Sequence, residues 1–67
     1  MDNELKVLIS NFKSLKTLEL QSMQYYTEKI VPIMKNDEDR KKIEGIALDE
    51  EQHAKMVQTI IDILERE

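Results

Sequence analysis

The stretch IEGIALDEEQHAKMVQTIIDIL, residues 43–64, decides the architecture. Apolar residues fall at Ile43, Ile46, Val57, Ile60 and Leu64, and Glu50 and His53 fill the two missing steps of one strict alternation of three and four residues. Positions three and four apart share a helix face, so this is the seam of an amphipathic helix packed on another helix. Two ionisable side chains thus interrupt a stripe that otherwise buries aliphatic groups. The first half of the chain repeats the pattern at Leu5, Leu8, Phe12, Leu15, Glu19, Ser22 and Tyr26, again with a carboxylate, Glu19, on the seam. Carboxylates are almost never fully buried without a partner, so these positions require one.

Between the two seams lie Pro32 and the wholly polar run Lys35-Asn36-Asp37-Glu38-Asp39-Arg40, the natural place for the chain to reverse. Asp2 or Asn3 can cap a first helix over about 3–31; it stops there because proline disfavours helical geometry in the preceding residue and lacks a backbone donor. Ile33 and Met34 can add a last turn before a reversal at about 35–37. Asn36 followed by Asp39 reads as a capping box, with three acids against the positive end of a second helix over about 37–66. The expectation is all-α: a two-helix antiparallel hairpin occupying residues 1–67 as a single domain.

Sixty-seven residues give a small core, and below about 70 to 80 residues a core seldom contributes more than about 3 to 5 kcal/mol. The chain has no cysteine, which removes disulfides and thiolate metal sites and leaves oligomerisation or a metal held by oxygen and nitrogen. Its net charge of −4, with bases interspersed among acids, offers no basic face to nucleic acid or anionic lipid. The opening residues Met1 to Lys6 lack the apolar centre of a signal peptide, and no run approaches the ~20 apolar residues of a membrane span. A cytoplasmic protein, with no membrane partner, is expected.

Counted from Asn36, Glu19 lies 17 positions back, while Glu50 and His53 lie 14 and 17 forward, so antiparallel packing brings all three to one level. Glu50 and His53, three apart, can both reach a point above their shared face, the spacing that suits one metal ion. A single hairpin offers two carboxylates and one imidazole. A two-fold dimer would supply four carboxylates and two imidazoles inside a four-helix bundle. Two carboxylates about 5 Å apart repel by roughly 3 kcal/mol at an effective dielectric of 20, and the six pairs among four of them approach roughly 20 kcal/mol. That exceeds the stability of a typical domain, about 5 to 15 kcal/mol, so protonation or divalent cations must neutralise them. An oxygen-rich, nitrogen-poor donor set favours iron or manganese over zinc or copper.

Glu19 with Tyr26 seven residues on, then Ile46-Ala47-x-x-Glu50-x-x-His53-Ala54, resembles one half of the ferritin-like di-iron carboxylate proteins, especially rubrerythrins and the two-helix encapsulated ferritins. The resemblance spans about residues 12–64. It implies Glu19, Glu50 and His53 as metal ligands, completed by the same residues of a second subunit, and Tyr26 as a hydrogen-bonding partner behind them. It also implies two iron ions per dimer, with manganese as a variant, in a homodimer forming a ferritin-like four-helix bundle. The implied activity is that of a ferroxidase, a di-iron oxidoreductase oxidising Fe(II) with O2 or peroxide in iron storage or detoxification, and the encapsulated members work inside a shell protein. Full-length relatives contain the unit twice, whereas it occurs once here. Rubredoxin cysteines are absent from these 67 residues.

Two other readings compete: peroxide reduction of the rubrerythrin kind with an external electron donor, and a non-enzymatic hairpin that associates with itself. With 14 acids in 67 residues, an acid three positions before a lone histidine is common. Glu19, Glu50 and His53 all falling on apolar seams at one level is a far more demanding coincidence. Tyr25 reads as packing on a flanking stripe with Leu18, and Met23, Met34 and Met56 as gap fillers. Glu44, Glu51, Gln58 and Glu65 recur every seven residues off the seam and read as a solvated face. Ile9, Met23, Ile30, Ala47, Ala54 and Ile61 flank the seam, too much apolar surface for a monomer to expose.

Overall fold

Residues 2–67 are described by a computed structural model, in which two long helices and the turns between them form a rod of 51 × 15 × 11 Å. Helix α1, Asn3–Tyr25, begins where the Asp2 carboxylate accepts the Glu4 N–H at 3.1 Å. Helix α2, Asp37–Glu65, begins where the Asn36 side chain accepts the Asp39 N–H at 3.0 Å. Asp37, Glu38 and Asp39 occupy the first turn of α2, favourably placed against the exposed amides and positive dipole end. Arg40 closes that turn through ion pairs to Asp37 at 3.0 Å and Glu44 at 3.5 Å.

Regular α geometry ends at Tyr25, six residues before the Val31 limit expected from proline. Tyr26–Ile30 form a π-helical turn, closed by the Val31 N–H donating to the Tyr26 carbonyl, and Val31–Ile33 a 3-10 turn containing Pro32. Two local effects loosen the α ladder here. Pro32 has no N–H for the Glu28 carbonyl and its ring crowds that group, while the Thr27 hydroxyl donates back to the Met23 and Gln24 carbonyls at 3.1 and 3.2 Å. Met34 is extended and leads to Asn36 and the start of α2.

Early α1 meets late α2, as Lys13 pairs with Glu65 at 3.5 Å and Lys16 with Gln58 at 2.6 Å, so the helices are antiparallel. The buried residues among those described are Ile9, Ala47, Ala54, Val57 and Ile61, with Leu5, Phe12 and Leu64 packed at the wide end. This corrects the expected seam. The seam residues Val57, Leu5, Phe12 and Leu64 do pack in the core, but Ile9, Ala47, Ala54 and Ile61, read as flanking positions, share the closed interface with them, whereas the seam residues Leu8, Leu15, Ile46 and Ile60 stay 46, 39, 42 and 38% exposed. The alanines explain it: their small side chains let the helices approach closely along the 47-54-61 line, which leaves the bulky seam residues at the rim of one open face. Leu15 and Ser22 on α1, and Ile46 and Ile60 on α2, share that face with the acidic residues by helical spacing.

Other apolar groups point away from both faces. Val7, Leu18 and Tyr25 on α1 and Leu48, Met56 and Ile63 on α2 are exposed, so Tyr25 and Leu18, which line one shallow groove, lie outside the interface and Met56 fills no gap in it. Among the described residues, no helix is long and apolar enough to cross a membrane.

Candidate metal centre

Glu19 stands two-thirds of the way along α1, and Glu50 and His53 one turn apart near the middle of α2. The hairpin brings one donor atom from each to within 4.8 Å of the others. His53 Nδ1 lies 3.6 Å from Glu19 Oε2 and 3.9 Å from Glu50 Oε1. Oxygen and nitrogen donors sharing one ion through bonds of about 2.1 Å stand roughly 3 to 4 Å apart, the range of the two His53 distances, so these residues are a candidate donor set for a divalent cation. Both carboxylates are mostly withdrawn from solvent, with side chains 19% and 22% exposed, while the imidazole is 52% exposed on the open face. His53 thus departs from the buried position its seam spacing suggests, because the face it occupies is uncovered.

The electrostatics of the cluster favour a positive charge at its centre. A side-chain hydrogen bond with Glu19 holds the Glu50 carboxyl above its ordinary value, assisted by burial and by the Glu19 charge; Asp49 adds to the rise and His53 opposes it. A cation between the two glutamates would relieve the same repulsion that raises Glu50. Neither glutamate pairs with a lysine or arginine among the described residues, so His53 is the one side chain of basic character against them.

Tyr26 is not brought into this group. It lies seven residues beyond Glu19, about 10 Å along the helix at 1.5 Å per residue, half-buried at the start of the π turn. Among the described residues its hydroxyl makes no hydrogen bond to Glu19, Glu50 or His53. A polar feature that spacing did not single out lies on the other side of the interface. Lys16 Nζ donates to Gln58 Oε1 at 2.6 Å, and Gln58 Nε2 donates to Asp62 Oδ1 at 2.8 Å, so Gln58 belongs to the interface and not to the solvated face assigned to it. Glu51 is also half-buried, and Glu65 pairs with Lys13. The available signal was that Glu51 and Gln58 each lie four residues from a buried alanine or isoleucine of the 47-54-61 line. Comparisons with protein-family models, with curated proteins and with solved structures find no match, so what the chain does must be argued from this geometry.

Proposed function

We propose that the chain is one half of a carboxylate-rich two-metal centre, completed when a second copy covers the open face, and that it acts as a ferroxidase. The observation that carries this reading is the convergence of Glu19, Glu50 and His53 to within 4.8 Å on a face ringed by exposed Leu15, Ile46 and Ile60. Apolar residues around a polar cluster are what a covered site requires, since burying them supplies driving force and the exclusion of water strengthens each charge–ligand contact. Two copies bring four carboxylates, which balance two divalent ions, and His53 from each gives one nitrogen donor. This is the arrangement of a ferritin-like four-helix bundle, to which the spacing of Glu19, Glu50 and His53 is similar.

Fe(II) is the substrate in this reading. Each ion gives up one electron, and a pair held together delivers the two electrons that reduce O2 to peroxide or peroxide to water. The chain's contribution would be to hold the pair side by side: Glu19 and Glu50 would supply the carboxylate ligands, one of them bridging, His53 would supply the nitrogen ligand, and the surrounding leucine and isoleucine side chains would keep bulk water out. Manganese fits the same donors. Iron storage or detoxification, and a location inside a protein shell, are the roles such an activity would serve.

Anaerobic titration with Fe(II) tests this directly. About two Fe(II) should bind per dimer, and admitting air or peroxide should raise near-ultraviolet absorbance. Glu50→Ala and His53→Ala should each remove high-affinity binding; unchanged iron binding in both would sink the proposal. The second reading, a non-enzymatic self-associating hairpin, draws on the exposure of Leu18, Tyr25, Leu48 and Met56 away from the cluster. It expects replacement of Glu19, Glu50 and His53 together by Leu to stabilise the assembly with nothing lost, whereas a ferroxidase would lose its activity.

A further inference from the structure

We infer that the Lys16–Gln58 hydrogen bond sets the height of Glu19 against Glu50 and His53, which makes Lys16 and Gln58 positioning residues for the metal centre. The metal part of this inference rests on the proposed function, and the positional part does not.

A cluster whose donors lie within 4.8 Å tolerates little sliding of one helix on the other. One residue of slip displaces Glu19 by about 1.5 Å along the axis, and one turn by about 5.4 Å, more than the width of the cluster. The apolar interface is poorly suited to prevent this. Its α2 side has its bulky groups, Val57, Ile61 and Leu64, toward the wide end, while at the level of the cluster it offers Ala47 and Ala54, which present no bulky knob to α1. The turn end is also adjustable, because the π turn Tyr26–Ile30 contains one residue more per turn than α geometry and can trade it for an ordinary turn, shifting α1 by one residue.

The Lys16–Gln58 bond has the properties that the apolar interface lacks. Apart from the Glu19–Glu50 contact of the cluster itself, it is the side-chain hydrogen bond that joins α1 to α2 among the described residues; it is partly buried, and it is short at 2.6 Å with a charged donor. Its orientation is fixed from both sides. Gln58 Nε2 is held by Asp62 at 2.8 Å, which leaves Oε1 to face Lys16. Lys16 precedes Glu19 by one turn and Gln58 follows His53 by five residues, so the bond sits immediately beside the cluster, on the side away from the open face. The Lys13–Glu65 pair lies farther along, is about half exposed at both ends, and is 3.5 Å long, a poorer ruler.

The test uses Lys16→Met and Gln58→Met, which keep an unbranched stem and remove one partner, and Gln58→Glu made together with Asp62→Asn, which keeps the acceptor and lets the new amide donate to it. Two readouts are taken: anaerobic Fe(II) affinity, and the metal-free distance between spin labels at the exposed sites Asn11→Cys and Thr59→Cys, diluted with unlabelled protein. Both methionine variants should shift or broaden the distance and weaken Fe(II) binding about 10- to 100-fold, while Gln58→Glu with Asp62→Asn keeps both near the unsubstituted protein. An unchanged distance in both methionine variants, or a shifted distance with unchanged affinity, overturns the inference. If the unsubstituted chain binds no Fe(II), the proposed function fails and the distances alone decide the positional claim. If Lys16→Met does not fold, Gln58→Met against Gln58→Glu with Asp62→Asn decides it.

Discussion

Glu50 faces Glu19 across the interface and has Asp49 beside it, which is why its carboxyl retains a proton at pH values where an isolated glutamate has lost it. The sign of the resulting pH dependence follows. A folded-state value raised above the ordinary 4.5 means that ionised Glu50 opposes folding at neutral pH, and that this cost disappears as pH falls through the folded-state value toward 4.5. Metal-free protein should therefore show a denaturation midpoint that rises on acidification from pH 7 toward pH 5. In Glu50→Gln, which removes the ionisation, this component should be absent; an identical pH profile in the two proteins would refute the assignment. The same substitution should weaken Fe(II) binding, since a neutral amide supplies a poorer ligand. The three clustered residues were legible in the sequence because each breaks an apolar period, and because counting from Asn36 places them at one height. Tyr26 was not placed by the same logic. Seven residues is a face-matching interval and not a distance-matching one, so it shares the face of Glu19 but stands two turns away.

The helices themselves followed from period, caps and proline, with Asn36 marking the start of α2 by the hydrogen bond its side chain accepts from the Asp39 N–H; the return bond of a full capping box is not formed among the described residues. Two features were not legible. The π turn arises from competition among Pro32, Thr27 and the backbone ladder, which apolar spacing does not register. The choice of closed stripe was ambiguous because both stripes are apolar, and alanine's closer approach decided for the one with less hydrophobic bulk. Gly45 gives a test at this scale. It lies inside α2 with ordinary helical geometry, and a methyl group there would meet nothing within 4 Å. Gly45→Ala should stabilise the protein by about 0.5 to 1 kcal/mol, the helix-interior penalty of glycine, read as a higher denaturant midpoint at unchanged slope. Asn36→Ala should act oppositely, costing about 1 kcal/mol through the lost cap to Asp39. A loss of stability in Gly45→Ala would mean that another chain approaches the helix closely at that point.

One chain alone does not close a core. Its radius of gyration is 15.4 Å, whereas a compact domain of 67 residues has about 11 Å. Its accessible surface of 5181 Å² likewise exceeds the roughly 4,400 Å² of a compact 7.9 kDa protein. Exposed apolar side chains contribute to that surface, and those around Glu19, Glu50 and His53 are the ones whose covering completes the proposed site. Folding should then be coupled to association, so tenfold dilution should lower dimer stability by about 1.4 kcal/mol and shift the melting temperature with concentration. A charge on that face separates this surface from the others. Leu15→Lys with Ile46→Lys places two cations on either side of the cluster, on residues 39 and 42% exposed in the single chain. Sedimentation should show the species at twice 7.9 kDa falling to 7.9 kDa, with paired Fe(II) uptake lost. Leu48→Lys is the control. At 60% exposed it offers more apolar surface than either, but on the outer side of α2, and it should leave both mass and iron uptake unchanged. If Leu48→Lys dissociates the dimer and the Leu15 and Ile46 pair does not, the copies meet through the wrong face to build a shared centre, and the half-site would remain a half-site.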